Sequence, residues 1–142
     1  KVDLPPGYCP THAMILPEHI LQAKATRPRA LVLAHPECRP ETLALVDYVG
    51  STAGMEKYVA GSEATEFIIG TETGFIAKLR HDNPGKQFMA AREAATCPNM
   101  KKITLEAVLH SLESLEPVVK VPEDIASKAR LPIERMLSIP RD

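Results

Sequence analysis

The feature that most constrains the fold of this chain is a short, uninterrupted apolar run, ALVLA, at residues 30–34. A strand that is buried on both faces of a parallel sheet has this pattern. Residues 49–52 indicate the end of a very short second strand, residues 67–69 form a third apolar strand, and residues 87–90 form a weaker fourth. Helical patterns lie between the strands at residues 40–48, 53–59 and 75–81. The alternation predicts an α/β fold: a three-layer α-β-α domain with a short parallel sheet of about four strands, plus C-terminal helices.

The last third of the chain has a helical pattern throughout. Apolar residues recur at helical spacing over residues 100–115 and 123–137, and Pro132 predicts a kink in the second of these helices. Lys101 and Lys102 fall in the first turn of the first helix, where the helix dipole disfavours cations. We interpret them either as a solvated pair or as residues that face an anion.

These patterns divide the chain into three segments. Residues 1–8 form an extended, proline-rich lead-in, and because the chain starts at Lys1 rather than Met we expect it to enter from a missing upstream region. Residues 9–99 form the α/β domain. Residues 100–142 are expected to be C-terminal helices that pack back on the rest of the protein.

Composition argues against several classes of partner. The net charge is −1 and aromatic residues make up 4% of the chain, with no Trp, so we expect no nucleic-acid partner. No apolar run approaches the roughly 20 residues that span a bilayer, so we expect no membrane segment. The chain has three cysteines, an odd number that indicates a reducing compartment and so predicts a cytoplasmic protein.

Polar residues follow the predicted strands, where open parallel sheets bind their ligands. They are His35 and Glu37, Ser51 and Thr52, and Thr71 and Glu72. Because parallel strands end at the same edge of a sheet, we expect these side chains to line one site. Taken singly, each has a simpler interpretation: the 35–37 turn caps backbone groups, and Ser51 begins the next helix as its N-cap.

Two of the three cysteines, Cys9 and Cys97, are each followed by proline at a turn that leads into a predicted helix. A thiol at a helix N-terminus is easier to deprotonate, and the thiolate is the form that binds metal. Structural zinc sites use closely spaced ligand pairs; Cys9 and His12 are close in sequence, but nothing nearby completes four ligands. A cluster held by dispersed thiolates, with one iron left open as a Lewis acid, fits this spacing better. The alternative is that the cysteines, Cys38 included, are small buried hydrophobes.

Six segments taken together resemble the quinolinate synthase family of NAD biosynthesis: GYCPTH, LAHPEC, YVGSTAGME, FIIGTETG, ATCPNMKKITLE and ARLPIERML. They occur in the family's order and spacing from residue 7 onward. The resemblance implies an enzyme that condenses iminoaspartate with dihydroxyacetone phosphate to quinolinate, with loss of phosphate and two waters. It also implies three related α/β domains around a central [4Fe-4S] cluster, in which one iron has no protein ligand and takes part in catalysis.

By the same resemblance, Cys9 and Cys97 match two of the three cluster ligands, and the third cysteine is expected upstream of this chain. Cys38 matches a position near the site that does not hold the cluster. Glu37 and His35 match the family's active-site pair. We expect Glu37 to transfer protons during dehydration and His35 to position or share them.

The resemblance also implies binding residues. Ser51 and Thr52 match a hydroxyl pair that contacts a substrate carboxylate or phosphate, and residues 99–101 fall beside the cluster. The family's other substrate-binding residues belong to the missing N-terminal domains, so we expect these 142 residues alone to be inactive. Two other classes stay open: a non-catalytic α/β binding module with structural Cys9 and Cys97, and a redox sensor in which the two form a reversible disulfide.

Overall fold

The computed structural model describes residues 7–140, so that residues 1–6 of the predicted lead-in lie outside the described part of the chain. The elements in chain order are α1 (Pro10–Ala13), α2 (Pro17–Thr26), β1 (Leu31–Ala34), α3 (Pro40–Leu43), β2 (Tyr48–Val49), α4 (Thr52–Gly61), β3 (Glu66–Gly70), α5 (Gly74–Asp82), β4 (Gln87–Ala90), a 3-10 helix (Met100–Lys102), α6 (Leu105–Ser114) and α7 (Glu123–Leu137).

The four strands form one parallel sheet in the order β2-β1-β3-β4. The chain therefore runs outward from β1 to β2 and then crosses back to the other side of β1 to form β3. A crevice opens at such a reversal, beyond the carboxyl ends of the two central strands, and ligands of open α/β sheets bind there. The predicted α/β class with a short four-stranded parallel sheet is confirmed.

Alternate residues of the strands pack on opposite faces of the sheet. On one face, strand residues such as Val32 and Ile68 join a buried cluster with Ile20 of α2. On the other face, strand residues including Ile69 join a second buried cluster that contains Met55 of α4 and residues of α5. Both faces of the sheet are thus covered by helices, which is why the strands read as continuous apolar runs.

The helix predicted over residues 40–48 is wrong in its length, because α3 ends at Leu43. The reason lies in Asp47, whose backbone N–H donates to the Val32 carbonyl at 2.8 Å while its carboxylate accepts from the Val32 N–H at 2.7 Å. The chain must therefore leave the helix early enough to lie alongside β1 and to enter β2.

Among the described residues, those from Lys101 to Pro140 form a second compact unit. The single helix predicted over residues 100–115 is wrong: a 3-10 helix is followed by α6, which begins at Leu105. The Thr104 hydroxyl caps α6 by accepting from the Ala107 N–H at 3.2 Å, and Glu106 supplies the acidic side chain of its first turn. The two lysines at 101 and 102 precede this N-cap and do not oppose the dipole of α6.

Helices α6 and α7 are amphipathic and carry exposed apolar side chains. Among these are Leu109, Leu112, Leu131 and Ile133, each more than half exposed. Within residues 7–140, no helix combines the length and the apolar character needed to cross a membrane.

The close pairing of β1 and β3 generates a stability prediction at Gly70. A Cβ at this residue would lie 2.9 Å from the Ala34 Cβ and 3.2 Å from the Leu33 carbonyl oxygen. Because these distances are shorter than ordinary van der Waals contacts, the neighbouring atoms of β1 would have to move. We expect Gly70→Ala to lower the free energy of unfolding by about 1–3 kcal/mol, measured by urea denaturation.

The matched control for this prediction is Gly61→Ala. Gly61 ends α4, and a Cβ there would have no atom within 4 Å. Because alanine is the better helix former, this variant should be as stable as the parent protein or slightly more stable. Equal destabilisation by both substitutions would contradict the packing account.

Candidate functional site

The pairing of the two central strands places the predicted polar residues side by side. Ala34 is in register with Gly70, so that His35 at the end of β1 and Thr71 at the end of β3 leave the sheet together. The His35 N–H donates to the Gly70 carbonyl at 3.1 Å and extends the ladder by one bond. Glu37 follows two residues later and is half exposed at the same edge.

His12, on the short helix α1, joins these two strand ends. Its Nδ1 lies 2.9 Å from a Glu37 carboxylate oxygen and its Nε2 lies 2.8 Å from the Thr71 hydroxyl. An ionised carboxylate only accepts hydrogen bonds, so Nδ1–H is the donor to Glu37, and in neutral His12 the Thr71 hydroxyl donates to Nε2. Both His12 and Thr71 are buried. The result is a hydrogen-bonded chain from the end of β3 to a solvent-accessible carboxylate.

A second imidazole, that of His35, stacks on His12. The ring centroids are 4.2 Å apart and the planes are 6° from parallel. The Glu37 N–H donates to Nδ1 of His35 at 3.2 Å, which makes Nε2 the protonated nitrogen of the neutral ring. Burial, and then the charge of His12, lower the pKa of His35 below its ordinary value, although Glu37 opposes them. His35 is therefore neutral at neutral pH and presents an N–H donor.

Three side chains from elsewhere in the domain hold the end of α1 and the two residues that follow it. Arg39 donates to the carbonyl of residue 13 at 2.8 Å, Arg92 to that of residue 14 at 2.7 Å, and the buried Thr42 hydroxyl to that of residue 15 at 2.8 Å. Three consecutive carbonyls are thus tied to the α/β domain. Because this segment is fixed, the short α1 helix keeps a defined position despite having only one turn.

Cys97 lies in the loop after β4, before a turn into the 3-10 helix, and it is partly buried. The backbone N–H groups of Met100 and Asn99 donate to its sulfur, as does the Thr11 hydroxyl of α1, and these bonds lower the pKa of Cys97 below its ordinary value. The nearby carboxylate of Glu72 acts in the opposite direction. Donors aimed at the sulfur favour the thiolate, which is the form that coordinates metal.

Cys9 is the N-cap residue of α1 and is also partly buried. Its sulfur, a ring nitrogen of His12 and a carboxylate oxygen of Glu37 all lie within 4.8 Å of one another, close enough to hold a metal ion. The fold adds Glu37 to the pair of Cys9 and His12, which gives three candidate ligands among the described residues, one fewer than the four of a structural zinc site. The donor set of sulfur, nitrogen and oxygen suits a transition metal.

Cys38 differs from the other two cysteines. It is 4% exposed, its thiol donates weakly to the Gly70 carbonyl at 3.5 Å, and burial raises its pKa to about 11. A thiol in this state is a poor metal ligand at neutral pH.

Ser51 and Thr52 follow β2 at the same edge of the sheet, at the start of α4. The Ser51 hydroxyl accepts from the Gly54 N–H at 3.2 Å, so the simpler interpretation as an N-cap holds for this residue. Both residues are exposed. Their predicted contact with substrate stays a prediction.

Sequence reasoning brought His35, Glu37 and Thr71 to one edge but missed the role of His12 as the bridge between them. The signal was present in the spacing of Cys9 and His12, three residues apart on one helix. What the sequence lacked was any indication that α1 lies over the ends of β1 and β3. That position depends on the anchored segment 13–15, which is a tertiary feature.

One known protein family matches nearly the whole of this chain, including the residues of the candidate site. The family model described as "Quinolinate synthetase A protein" matches residues 1–138. The quinolinate synthase of Pelobacter propionicus is 52% identical over 136 residues, which cover 96% of this chain and 45% of the relative. That of Geotalea uraniireducens is 49% identical with the same coverage. Quinolinate synthase 2 of Methanosarcina acetivorans is 45% identical over 139 residues, or 98% of this chain and 45% of the relative.

The chain spans less than half the length of these curated relatives. The match extends from the first residue to residue 138 and includes all six segments that carried the resemblance. The resemblance is confirmed, and the chain belongs to the quinolinate synthetase A family.

Proposed function

We propose that this chain is the C-terminal portion of a quinolinate synthase and supplies about half of its active site. The reaction is the condensation of iminoaspartate with dihydroxyacetone phosphate to quinolinate, with loss of phosphate and two waters. One observation carries the proposal. Near the carboxyl ends of β1 and β3, the fold gathers a carboxylate, two imidazoles and both Cys-Pro turns, in a chain that belongs to this family.

The chemistry of the cysteines present supports a [4Fe-4S] cluster at this site. Cys97 is surrounded by donors that favour its thiolate, and Cys9 caps the helix that carries Thr11, one of those donors. We assign both sulfurs as cluster ligands and expect a third cysteine in the portion of the enzyme that precedes this chain. Cys38 is excluded from the ligand set because it is buried and its pKa is raised. When bound, the cluster supplies an open iron that acts as a Lewis acid toward a substrate oxygen.

We assign the proton transfers of the dehydration steps to Glu37. Oε2 of Glu37 is held by the Nδ1–H of His12, so the proton is taken up and released at Oε1. Neutral His35 lies beside it, and its Nε2–H is a donor suited to a substrate oxygen. A carboxylate and a neutral imidazole at one edge can remove a proton from carbon and assist the departure of a hydroxyl group.

The proposed substrate-binding roles rest on the position of Ser51 and Thr52 at the same end of the sheet. Ser51 and Thr52 start the ten-residue helix α4, where backbone N–H groups and hydroxyls favour an anion, and we assign to them a substrate carboxylate or phosphate. The exposed apolar faces of α6 and α7 are assigned to packing against the preceding portion of the enzyme. The small-molecule substrates are then enclosed between this chain and that portion.

The sharpest test of the proposed function replaces Glu37 in the full-length enzyme. The side-chain amide introduced by Glu37→Gln keeps an oxygen for the Nδ1–H of His12 but cannot take up a proton. We expect quinolinate formation to fall about 10²-fold or more, while the iron and sulfide content stays at the level of the parent enzyme. The measurement is quinolinate released from iminoaspartate and dihydroxyacetone phosphate without oxygen.

The matched control is Glu63→Gln, an exposed residue that precedes β3 at the opposite edge of the sheet. It should leave both turnover and iron content unchanged. Turnover of Glu37→Gln close to that of the parent would remove Glu37 from the proton-transfer role. Absence of quinolinate formation by the iron-loaded parent enzyme would overturn the proposed function itself.

The environments of the thiols predict their relative reactivity in the cluster-free protein. At neutral pH, iodoacetamide should modify Cys97 about tenfold or more faster than Cys38, because the pKa of Cys97 is lowered by hydrogen bonds and that of Cys38 is raised by burial. Since the thiolate is the reactive form, the rate at Cys97 should fall as the pH is lowered. Peptide mapping by mass spectrometry measures both rates.

The contribution of the Thr11 hydroxyl to this reactivity can be isolated. Thr11→Val removes a donor to the Cys97 sulfur and should slow its alkylation, whereas Thr11→Ser keeps the donor and should preserve the rate. Modification of Cys97 and Cys38 at equal rates in the parent protein would contradict the assigned environments.

A further inference from the structure

We propose that Thr71 is a positioning residue of this active site: its hydroxyl holds the His12 ring, and His12 in turn holds the Glu37 carboxylate in place for proton transfer. The inference rests on the proposed function, which gives Glu37 its role. Its direct observations are the hydrogen bonds from Thr71 to His12 at 2.8 Å and from His12 to Glu37 at 2.9 Å.

Thr71 is the rigid end of this chain of contacts. It is 2% exposed and directly follows Gly70, whose pairing with Ala34 closes the ladder between β1 and β3. Glu37, at the other end, is 52% exposed and lies in a turn. A carboxylate with that much access to water is not held by packing, so its orientation depends on the hydrogen bond from His12.

The His12 ring is fixed at both nitrogens and on one face. Thr71 contacts Nε2, Glu37 contacts Nδ1, and the His35 ring stacks at 4.2 Å. Stacking is compatible with both flip states of the ring, because they differ by 180° about the Cβ–Cγ bond and share one plane, and the half-exposed carboxylate does not select between them. The Thr71 hydroxyl, at the end of a strand, is fixed, and it therefore selects the state in which Nδ1–H points at Glu37.

The buried position of His12 makes its hydrogen bond to Thr71 hard to replace. Water cannot readily replace a missing partner at Nε2, and a ring that turns about its Cβ–Cγ bond would present a carbon to Glu37 in place of Nδ1–H. Without the hydroxyl, the catalytic carboxylate would sample several orientations, only some of which aim Oε1 at the substrate.

The test compares Thr71→Val with Thr71→Ser in the full-length enzyme. Valine keeps the shape of the side chain without the hydroxyl, and we expect kcat to fall about tenfold with KM and iron content unchanged. Serine keeps the hydroxyl and should restore kcat to within about twofold of the parent. The control Thr65→Val, at an exposed position that precedes β3, should leave kcat unchanged. An unchanged kcat in Thr71→Val, or failure of serine to restore it, would overturn the inference.

A second measurement does not depend on activity. In cluster-free full-length protein with ¹⁵N-labelled histidine, the Nε2 resonance of His12, assigned by its loss in His12→Asn, reports the bond to Thr71. We expect it to move in Thr71→Val and to keep its position in Thr71→Ser. Identical spectra in all three proteins would overturn the positioning role. If the parent enzyme makes no quinolinate, the proposed function fails, and these spectra still decide whether Thr71 holds His12.

Discussion

The parallel pairing of β1 with β3 determines where the chemistry of this chain is located. The chain forms β1, turns outward to β2 and returns to place β3 on the other side, so the two central strands end beside each other with Ala34 opposite Gly70. The absence of a side chain at Gly70 allows the close approach to Ala34 that this register needs. Every polar residue assigned to proton transfer lies just beyond this pair of strand ends or bonds to a residue that does.

The one-turn helix α1 brings the remaining side chains of the candidate site to that end of the sheet. By itself such a helix has little stability, but Arg39, Thr42 and Arg92 tie the segment behind it to the α/β domain. The anchored helix then brings Cys9 as its N-cap, Thr11 as a donor to the Cys97 sulfur, and His12 as the bridge between the strands. The proposed metal ligation and the proposed proton transfer thereby share one short stretch of sequence.

Sequence patterns predicted the sheet because buried parallel strands leave an unambiguous apolar signal, as in residues 30–34 and 67–69. They failed where tertiary contacts override local preference. Asp47 pairs with Val32 and ends α3 early, and the Thr104 cap starts α6 after the two lysines. Motifs predicted the cysteines and Glu37 as site residues, whereas the links of His12 to Glu37 and Thr71, 25 and 59 residues away, have no local signature.

The central claim is that Cys9 and Cys97, and not Cys38, hold an iron–sulfur cluster, and metal content tests it most directly. Full-length protein purified without oxygen should contain about four irons with matching sulfide. Cys9→Ser and Cys97→Ser should lose them, and Cys38→Ser should keep them. A single zinc that is lost in Cys9→Ser but retained in Cys97→Ser would contradict the account and assign a mononuclear site to Cys9, His12 and Glu37. A reversible disulfide between Cys9 and Cys97, without iron after reconstitution, would contradict it in favour of a redox sensor.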